Sequence, residues 1–345
     1  MTPIALDAMG GDHGPTVPVA GAVQAARNLN VSVLLVGDQG RIKSELSRHS
    51  ALPSGLDIVH ASDVIEMDES PGTALLSKRD SSIVVAMNLV REGRASAVVS
   101  AGNSGAVMGA ASLRLGMLPG VERPAIATVL PRRSGHTILL DAGATVDSRP
   151  ENLLDFALIG AMYAQCLFHI ERPRVGLLSI GEEPSKGSAV TKKAHQLLSA
   201  APINFIGNIE GKEIAQDDVD VVVCDGFVGN AVLKATEGYA ELFWGLLKEK
   251  LSVGWRNRIA SSFLRPAFRD VWRQLDYACH GGALLVGVNG VCVIGHGRSS
   301  PTAVENAIRV ASELSEQGVV EQLAASLQQT RNSPKVGVSG RENTN

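Results

Sequence analysis

The sequence predicts an α/β fold, a largely parallel sheet sandwiched by helices. Two observations carry that prediction. Five short apolar runs each end in glycine with Asp, Asn, Ser or Glu and then pass into helical spacing, the pattern of a parallel strand feeding a helix. Strand and helix patterns alternate from the start to about residue 247, with no fixed repeat and no linker rich in Pro, Gly and Ser. Ligands of such sheets sit beyond the carboxyl ends of the strands, so these polar strand ends predict one shared site.

The first strand, Ile4-Ala5-Leu6, ends in Asp7-Ala8-Met9-Gly10-Gly11-Asp12. A helix near Val17–Asn28 and a strand over Val31–Gly37 follow. Residues 80–92 place Ile83, Val84, Met87 and Val90 on one helical face. Ala97-Val98-Val99 leads into Ser100-Ala101-Gly102-Asn103-Ser104-Gly105, and the small residues of Ala106–Ser112 suit a helix packed closely on the sheet. Thr137–Leu140 ends in Asp141-Ala142-Gly143, Val175–Ile180 in Gly181-Glu182-Glu183, and Val219–Cys224 in Asp225-Gly226-Phe227-Val228-Gly229-Asn230. Thr302 and Glu305 fit a capping box before the apolar face of Ala307, Ile308, Ala311 and Leu314. From about Gln328 the chain turns polar. Residues 1–327 therefore read as one α/β domain and 328–345 as a disordered tail.

A hydrophobic content of 45% over 345 residues supports a substantial globular core. The net charge of −3 argues against nucleic acid as a partner, because phosphate backbones demand a basic excess. The four cysteines (Cys166, Cys224, Cys279, Cys292) are scattered, so reduced thiols and a cytoplasmic setting are expected. No leader peptide or membrane-spanning run is evident.

The segment Tyr239–Tyr277 stands apart, with a helical projection expected over about 245–275. It holds all three tryptophans, Trp244, Trp255 and Trp272, with Phe243, Phe263 and Phe268. Lys248, Lys250, Arg256, Arg258, Arg265, Arg269 and Arg273 are interleaved with them. Such a mixture suits a bilayer surface, a helical hairpin buried in a dimer interface, or an acidic protein partner.

Glycines at Gly10 and Gly11 let backbone N–H groups approach an anion, although a tight turn needs glycine as well. Asp7, Asp12 and His13 around them favour a site. Gly102-Asn103-Ser104-Gly105 offers an amide and a hydroxyl at a helix start, where either is also an ordinary cap. Asn230 and Lys234 are four apart and share a helical face. Lys234 lies among Ala231, Val232, Leu233 and Ala235, an unusual setting for a merely solvated lysine. Lys186 and the run Lys78-Arg79-Asp80-Ser81-Ser82 supply further cations. The dinucleotide fingerprint, the phosphate-binding loop ending in Gly-Lys and paired-cysteine or His-Glu-x-x-His metal motifs are all missing. Histidines beside glycines (His13, His280, His296) suit proton transfer or capping.

In order along the chain, these motifs resemble the PlsX family of phosphate acyltransferases of bacterial phospholipid synthesis. The carriers are Asp7 to Asp12, Lys78 to Ser82, Ser100 to Ala106, Asn208-Ile209-Glu210-Gly211, Val221 to Asn230 and Gly281-Gly282-Ala283, closed by Asn289-Gly290 and His296-Gly297. Departures are small: Ser104 for threonine, Thr145, Ser179 and Ser188 for asparagine, and an inserted Arg298. The resemblance implies a sheet like that of the isocitrate and isopropylmalate dehydrogenases. It implies transfer of a long-chain acyl group from acyl carrier protein to inorganic phosphate, giving acyl phosphate for glycerol 3-phosphate acylation. No cofactor and no metal are expected. Partners implied are acyl carrier protein, a second copy of the chain, the anionic inner face of the cytoplasmic membrane and the downstream membrane acyltransferase.

Under that reading Asn103, Ser104, Asn230, Lys234 and His13 are candidates for catalysis. Asp7, Gly10, Gly11, Asp12, Lys78, Asp80, Ser81, Gly102, Gly105, Lys186 and Asp225 would surround phosphate. Trp255, Arg256, Arg258, Phe263, Arg265, Phe268 and Trp272 would touch membrane or carrier protein. The competing readings are a phosphotransacetylase using acyl-coenzyme A, a dehydrogenase on a similar sheet, and a non-catalytic membrane scaffold.

Overall fold

The computed structural model describes residues 2–252 and 281–332, with residues 263, 264, 266, 268 and 271. The chain begins β1 (Ile4–Asp7), α1 (Thr16–Leu29), β2 (Val33–Gly37), α2 (Gln39–Leu46), β3 (Leu56–His60), α3 (Pro71–Ser77), α4 (Ser82–Arg91), β4 (Ala97–Ser100) and α5 (Ser104–Arg114). It continues through β5 (Ala125–Arg132), β6 (Gly135–Leu140), α6 (Pro150–Phe168), β7 (Arg174–Leu178), α7 (Ala189–Ser199), β8 (Asn204–Ile209), β9 (Val221–Val223) and α8 (Gly226–Ser252). It closes with β10 (Ala283–Val286), β11 (Val291–Ile294), α9 (Pro301–Glu316) and α10 (Val319–Asn332).

The described strands form one 11-stranded sheet in the order β3-β2-β1-β4-β11-β10-β5-β6-β9-β7-β8. Every residue of β1, β4, β9 and β11 is buried, which is why these strands read as continuous apolar runs. Alternation within them feeds two cores. Ile4, Leu6, Ala97 and Val99 pack with Val23, Phe156, Ile159 and Ile308 of α1, α6 and α9. Ala5 and Val98 pack with Ile83, Met87 and Val107 of α4 and α5. Ala106, Ala110 and Ala111 are buried, as expected for a helix lying close to the sheet.

The sheet is mostly parallel, but β11–β10, β10–β5 and β5–β6 pair antiparallel. The last pair is a hairpin, which needs only the short turn between Arg132 and Gly135. Consequently β6, β9, β7 and β8 run against β1–β4 and β11. The polar strand ends therefore divide into two groups rather than lining one edge of the sheet.

Two local expectations also change. α9 is capped by Ser300, whose Oγ accepts from Ala303 N at 3.2 Å, with Pro301 in the first helical position. The capping box at Thr302 and Glu305 does not form, because Glu305 instead accepts from Asn28 Nδ2 at 2.7 Å. Helix α10 extends to Asn332, so the segment from 328 begins as helix, and 333–345 lie outside the described residues. Among the described residues no helix is long and apolar enough to cross a membrane.

Candidate active site

The loops after β1, β4 and β11 meet at one end of the sheet. Asp7 closes β1 at 1% exposure. Its Oδ2 accepts from Ser100 Oγ at 2.7 Å and its Oδ1 from Met9 N at 3.1 Å. Ser100 Oγ in turn accepts from Gly102 N at 3.1 Å. Burial pushes the Asp7 pKa up, against hydrogen bonds from Ser82, Ser100 and the Met9 and Gly10 amides. Asp7 thus fastens two loops together and is closed off from a ligand. A Cβ on Gly10 would lie 2.6 Å from Asp7 Oδ2 and 2.7 Å from Gly102 N, so only glycine allows this approach. Gly11 has φ +89, and Asp12 N donates to Gly297 O at 2.9 Å. Asp12, His13 and Ser104 stand exposed on the rim.

Asn103 and Lys78 hold a loop rather than facing outward. Asn103 Oδ1 caps α5 through Ala106 N at 3.1 Å. Its Nδ2 donates to Met67 O at 3.1 Å and Glu69 O at 3.0 Å, which leaves that amide no hydrogen for an oxyanion. Lys78 Nζ lies 2.6 Å from Glu69 Oε1 and 2.7 Å from Val64 O. Asp80 accepts from Ser62 N at 2.9 Å and Ser62 Oγ at 2.7 Å, and those bonds hold its carboxyl below the usual range. Ser81 is buried before α4. Gly105 packs against α3, where a Cβ would meet Pro71 Cγ at 2.6 Å. Together these residues anchor the 62–69 segment, whose Met67 Cε lies 3.0 Å from the position of a Cβ on Gly297.

The loops after β6 and β9 form the second group. Asp141 is fully buried. Its Oδ1 accepts from Ile126, Ala144 and Gly143 N at 2.8, 2.9 and 3.0 Å, and its Oδ2 from Thr145 N at 2.6 Å. Burial pushes its pKa up against these four amides. Gly226 and Gly229 bring α8 onto this loop. A Cβ on Gly226 would lie 2.7 Å from Asp141 Oδ2, and one on Gly229 would overlap Asp141 O. Asp225 caps α8 by accepting from Val228 N at 3.0 Å. Asn230 is exposed one turn along, where a Cβ on Gly143 would lie 3.4 Å from Asn230 Cβ. Lys186 lies apart from these on the β7 loop, exposed, with its stem over Gly181.

Helix α8 joins the two groups. Lys234 Nζ lies 2.8 Å from Glu237 Oε2 and 3.0 Å from His296 Nε2 on the β11 loop. His296 Nε2 is also 3.6 Å from Glu237 Oε1. Burial raises the Glu237 pKa, but hydrogen bonds from His296 and Lys234 outweigh it, and the carboxyl titrates below its ordinary value. The Lys234 side chain is 48% exposed. The site thus presents a half-exposed ammonium, steadied by a carboxylate, beside two glycine loops.

The chain matches the family model described as fatty acid synthesis protein over residues 2–322. It is 51% identical over 326 residues to the phosphate acyltransferase of Pelotomaculum thermopropionicum, covering 94% of this chain and 95% of that one. The chain belongs to the phosphate acyltransferase family. Among solved structures, the EutD phosphotransacetylase from Staphylococcus aureus is similar at TM-score 0.61 and 16% identity, covering 91% of this chain and 94% of that chain. A 4-hydroxythreonine-4-phosphate dehydrogenase from Klebsiella pneumoniae is similar at TM-score 0.55 and 13% identity, covering 91% of this chain and 100% of that chain. These two likenesses show a shared α/β architecture.

Two acidic groups, Glu237 and Asp141, shape the site of this phosphate acyltransferase family member without being among the candidate site residues of the sequence. Glu237 had a readable signal, its spacing of three from Lys234 on one helix. Asp141 had none beyond ending a strand, since its four donors are backbone amides. Among the described residues no cluster of His, Cys, Asp and Glu could hold a metal. Trp255, Arg256, Arg258, Arg265 and Trp272 lie outside the described residues. Phe263 is 80% exposed, and Phe268 meets Trp244 edge-on at 6.5 Å. Along α8, Tyr239, Leu242, Phe243 and Leu246 form an exposed apolar stripe at helical spacing.

Proposed function

We propose that this chain moves an acyl group from the thioester of acyl carrier protein to inorganic phosphate, releasing acyl phosphate for a membrane acyltransferase that acylates glycerol 3-phosphate. The observation that carries the reading is the Lys234–Glu237–His296 cluster, which bridges the two sheet halves beside the Gly10–Gly11 loop. Phosphate is itself the nucleophile, so the protein needs no acylated serine or cysteine. Its task is to hold a dianion against a carbonyl carbon. Lys234 supplies the countercharge, and Glu237 keeps its ammonium in place. With Asn103 committed to loop carbonyls, the exposed Asn230 and Ser104 are the remaining candidates to donate to a developing oxyanion. The leaving thiol, with a pKa of roughly 8.5, departs as thiolate without a strong acid. His13 and Asp12 stand exposed on the loop that follows Gly11.

The apolar stripe of α8 suits burial against a second copy of the chain, and the aromatic and basic residues beyond it suit peripheral contact with anionic lipid at the inner face of the cytoplasmic membrane. Vesicle sedimentation of a Trp255/Phe263/Trp272 polar variant tests that contact, and unchanged lipid binding would sink it.

The deciding experiment incubates the protein with long-chain acyl–acyl carrier protein, with and without phosphate, and follows thiol release and acyl phosphate. Phosphate-dependent release with matching acyl phosphate is expected. Preference for acyl-coenzyme A would move the assignment to a phosphotransacetylase, and no turnover with either donor would leave a scaffold.

A further inference from the structure

A pocket of about 530 Å³ opens between the loops after β6, β7 and β9, a size within the roughly 300–1,000 Å³ of small-molecule sites. Leu153, Leu177, Leu178, Val190, Phe227 and Val228 supply its apolar walls. Leu153 and Leu177 close the inner end at 3% and 1% exposure, while Phe227 stands at the mouth at 67%. Asp147 and Asp225 are the charged residues of the lining, and no Lys, Arg or His is among the described residues there. A phosphate, nucleotide or other anionic headgroup would find no countercharge inside.

We infer that this pocket receives the hydrocarbon chain of the acyl donor. The inference rests on the acyl-transfer reading above and deepens it. The mouth lies at the first turn of α8, between Asp225 and Val228. Lys234 follows six residues on, about 9 Å along the helix at 1.5 Å per residue. A chain seated in the pocket would leave its carbonyl carbon outside the mouth, on the side where Asn230 and Lys234 project. The lining also carries the hydroxyls of Ser148, Ser179, Ser188 and Thr191, so the alkyl chain takes the apolar walls, and the amide-rich arm that joins a carrier protein to its thioester, which needs hydrogen-bond partners, stays with the polar groups. Cys224 forms part of the wall, but its thiol donates to Asp141 O at 3.7 Å and burial pushes its pKa up. It stays protonated, and the chain is held without covalent attachment.

The test uses the wild-type full-length protein and a long-chain acyl phosphonate carrying a diazirine at the far end of its chain. After irradiation, label is expected in peptides containing 177–191 or 224–228. Label confined to other peptides, such as those of the exposed α8 stripe, would overturn the assignment. A Val190→Trp variant fills the pocket, and its kcat/KM ratio for hexadecanoyl over octanoyl donor should fall at least tenfold. An unchanged ratio in a variant with wild-type circular dichroism would also overturn it. The acyl-transfer reading fails separately. Labelled wild-type protein that releases no thiol in the presence of phosphate would sink the reaction while supporting an apolar-chain site.

Discussion

Alanine at Gly229 adds one methyl group where α8 leaves the sheet. The new Cβ overlaps the carbonyl oxygen of Asp141 and lies 2.9 Å from Asp141 C and 3.0 Å from Cys224 Sγ. Two of those atoms are backbone, pinned by the Asp141 N to Cys224 O hydrogen bond at 3.1 Å, so no side chain can swing aside. The helix itself must move out by about an ångström, and overpacking of this kind costs about 1–3 kcal/mol, or more where the neighbour is rigid. Lys234 rides on the same helix and would leave its place 3.0 Å from His296. A misplacement of ~1 Å in an orienting group costs about 100-fold in rate. Gly238 provides the control, because a Cβ there meets nothing within 4 Å. Alanine at that helix-interior position should raise stability by roughly 0.5–1 kcal/mol. Steady-state kinetics and urea unfolding followed by circular dichroism read both effects. Gly229→Ala should lose about 100-fold in kcat/KM and unfold at lower urea, while Gly238→Ala keeps its rate and unfolds at the same or higher urea. If the two variants behaved alike, the close approach at Gly229 would not be what positions α8.

Lys234→Ala should raise the KM for phosphate at least about tenfold, equivalent to ~1.4 kcal/mol of lost binding, and an unchanged phosphate saturation curve would remove Lys234 from the site. Asn103→Ala removes a helix cap worth about 1 kcal/mol and releases the 66–69 carbonyls, so hydrogen exchange across 64–70 should quicken; unaltered protection there would refute the anchoring role. Asp220 accepts from Arg132 Nη1 at 2.9 Å and from Arg174 Nε and Nη2 at 3.0 Å, with its side chain 4% exposed, so Asp220→Asn should cost about 3 kcal/mol at neutral pH. Burial raises the Asp220 pKa, but the hydrogen bonds from Arg174 and Arg132 carry it below the ordinary carboxylate value. That stabilisation is present above the unfolded pKa of about 3.9 and is lost as pH falls through the folded value. The gap in melting temperature between wild type and Asp220→Asn should therefore close in acid, and a gap constant with pH would contradict the ion-pair account.

Local pattern was enough to locate β1, β2, β4, β6, β7 and β9 to within a residue or two. A strand covered on both faces must be an apolar, β-branched run, and that requirement is written in consecutive residues. The glycine loops were legible for the same reason. Gly10, Gly226 and Gly229 sit where backbone approaches backbone, and no other residue fits there. The ordered motifs together also marked the family. Pairing across the sheet was not legible. β10 and β11 come late in the chain yet insert between β4 and β5, and three antiparallel pairings turn half the sheet around. Nothing in a strand's own residues states its neighbour's direction. The partners of charged and polar groups were hidden in the same way. Lys78, read as a phosphate contact, and Asn103, read as a catalytic amide or an ordinary helix cap, showed their loop partners only once the 62–69 segment was seen folded over them. Asp220 and Arg132 lie 88 positions apart in sequence, and Lys234 and His296 lie 62 apart. Burial and turn preferences are properties of short segments and survive in the sequence, whereas the choice of hydrogen-bond partner is made by whichever groups the assembled sheet brings within about 3 Å.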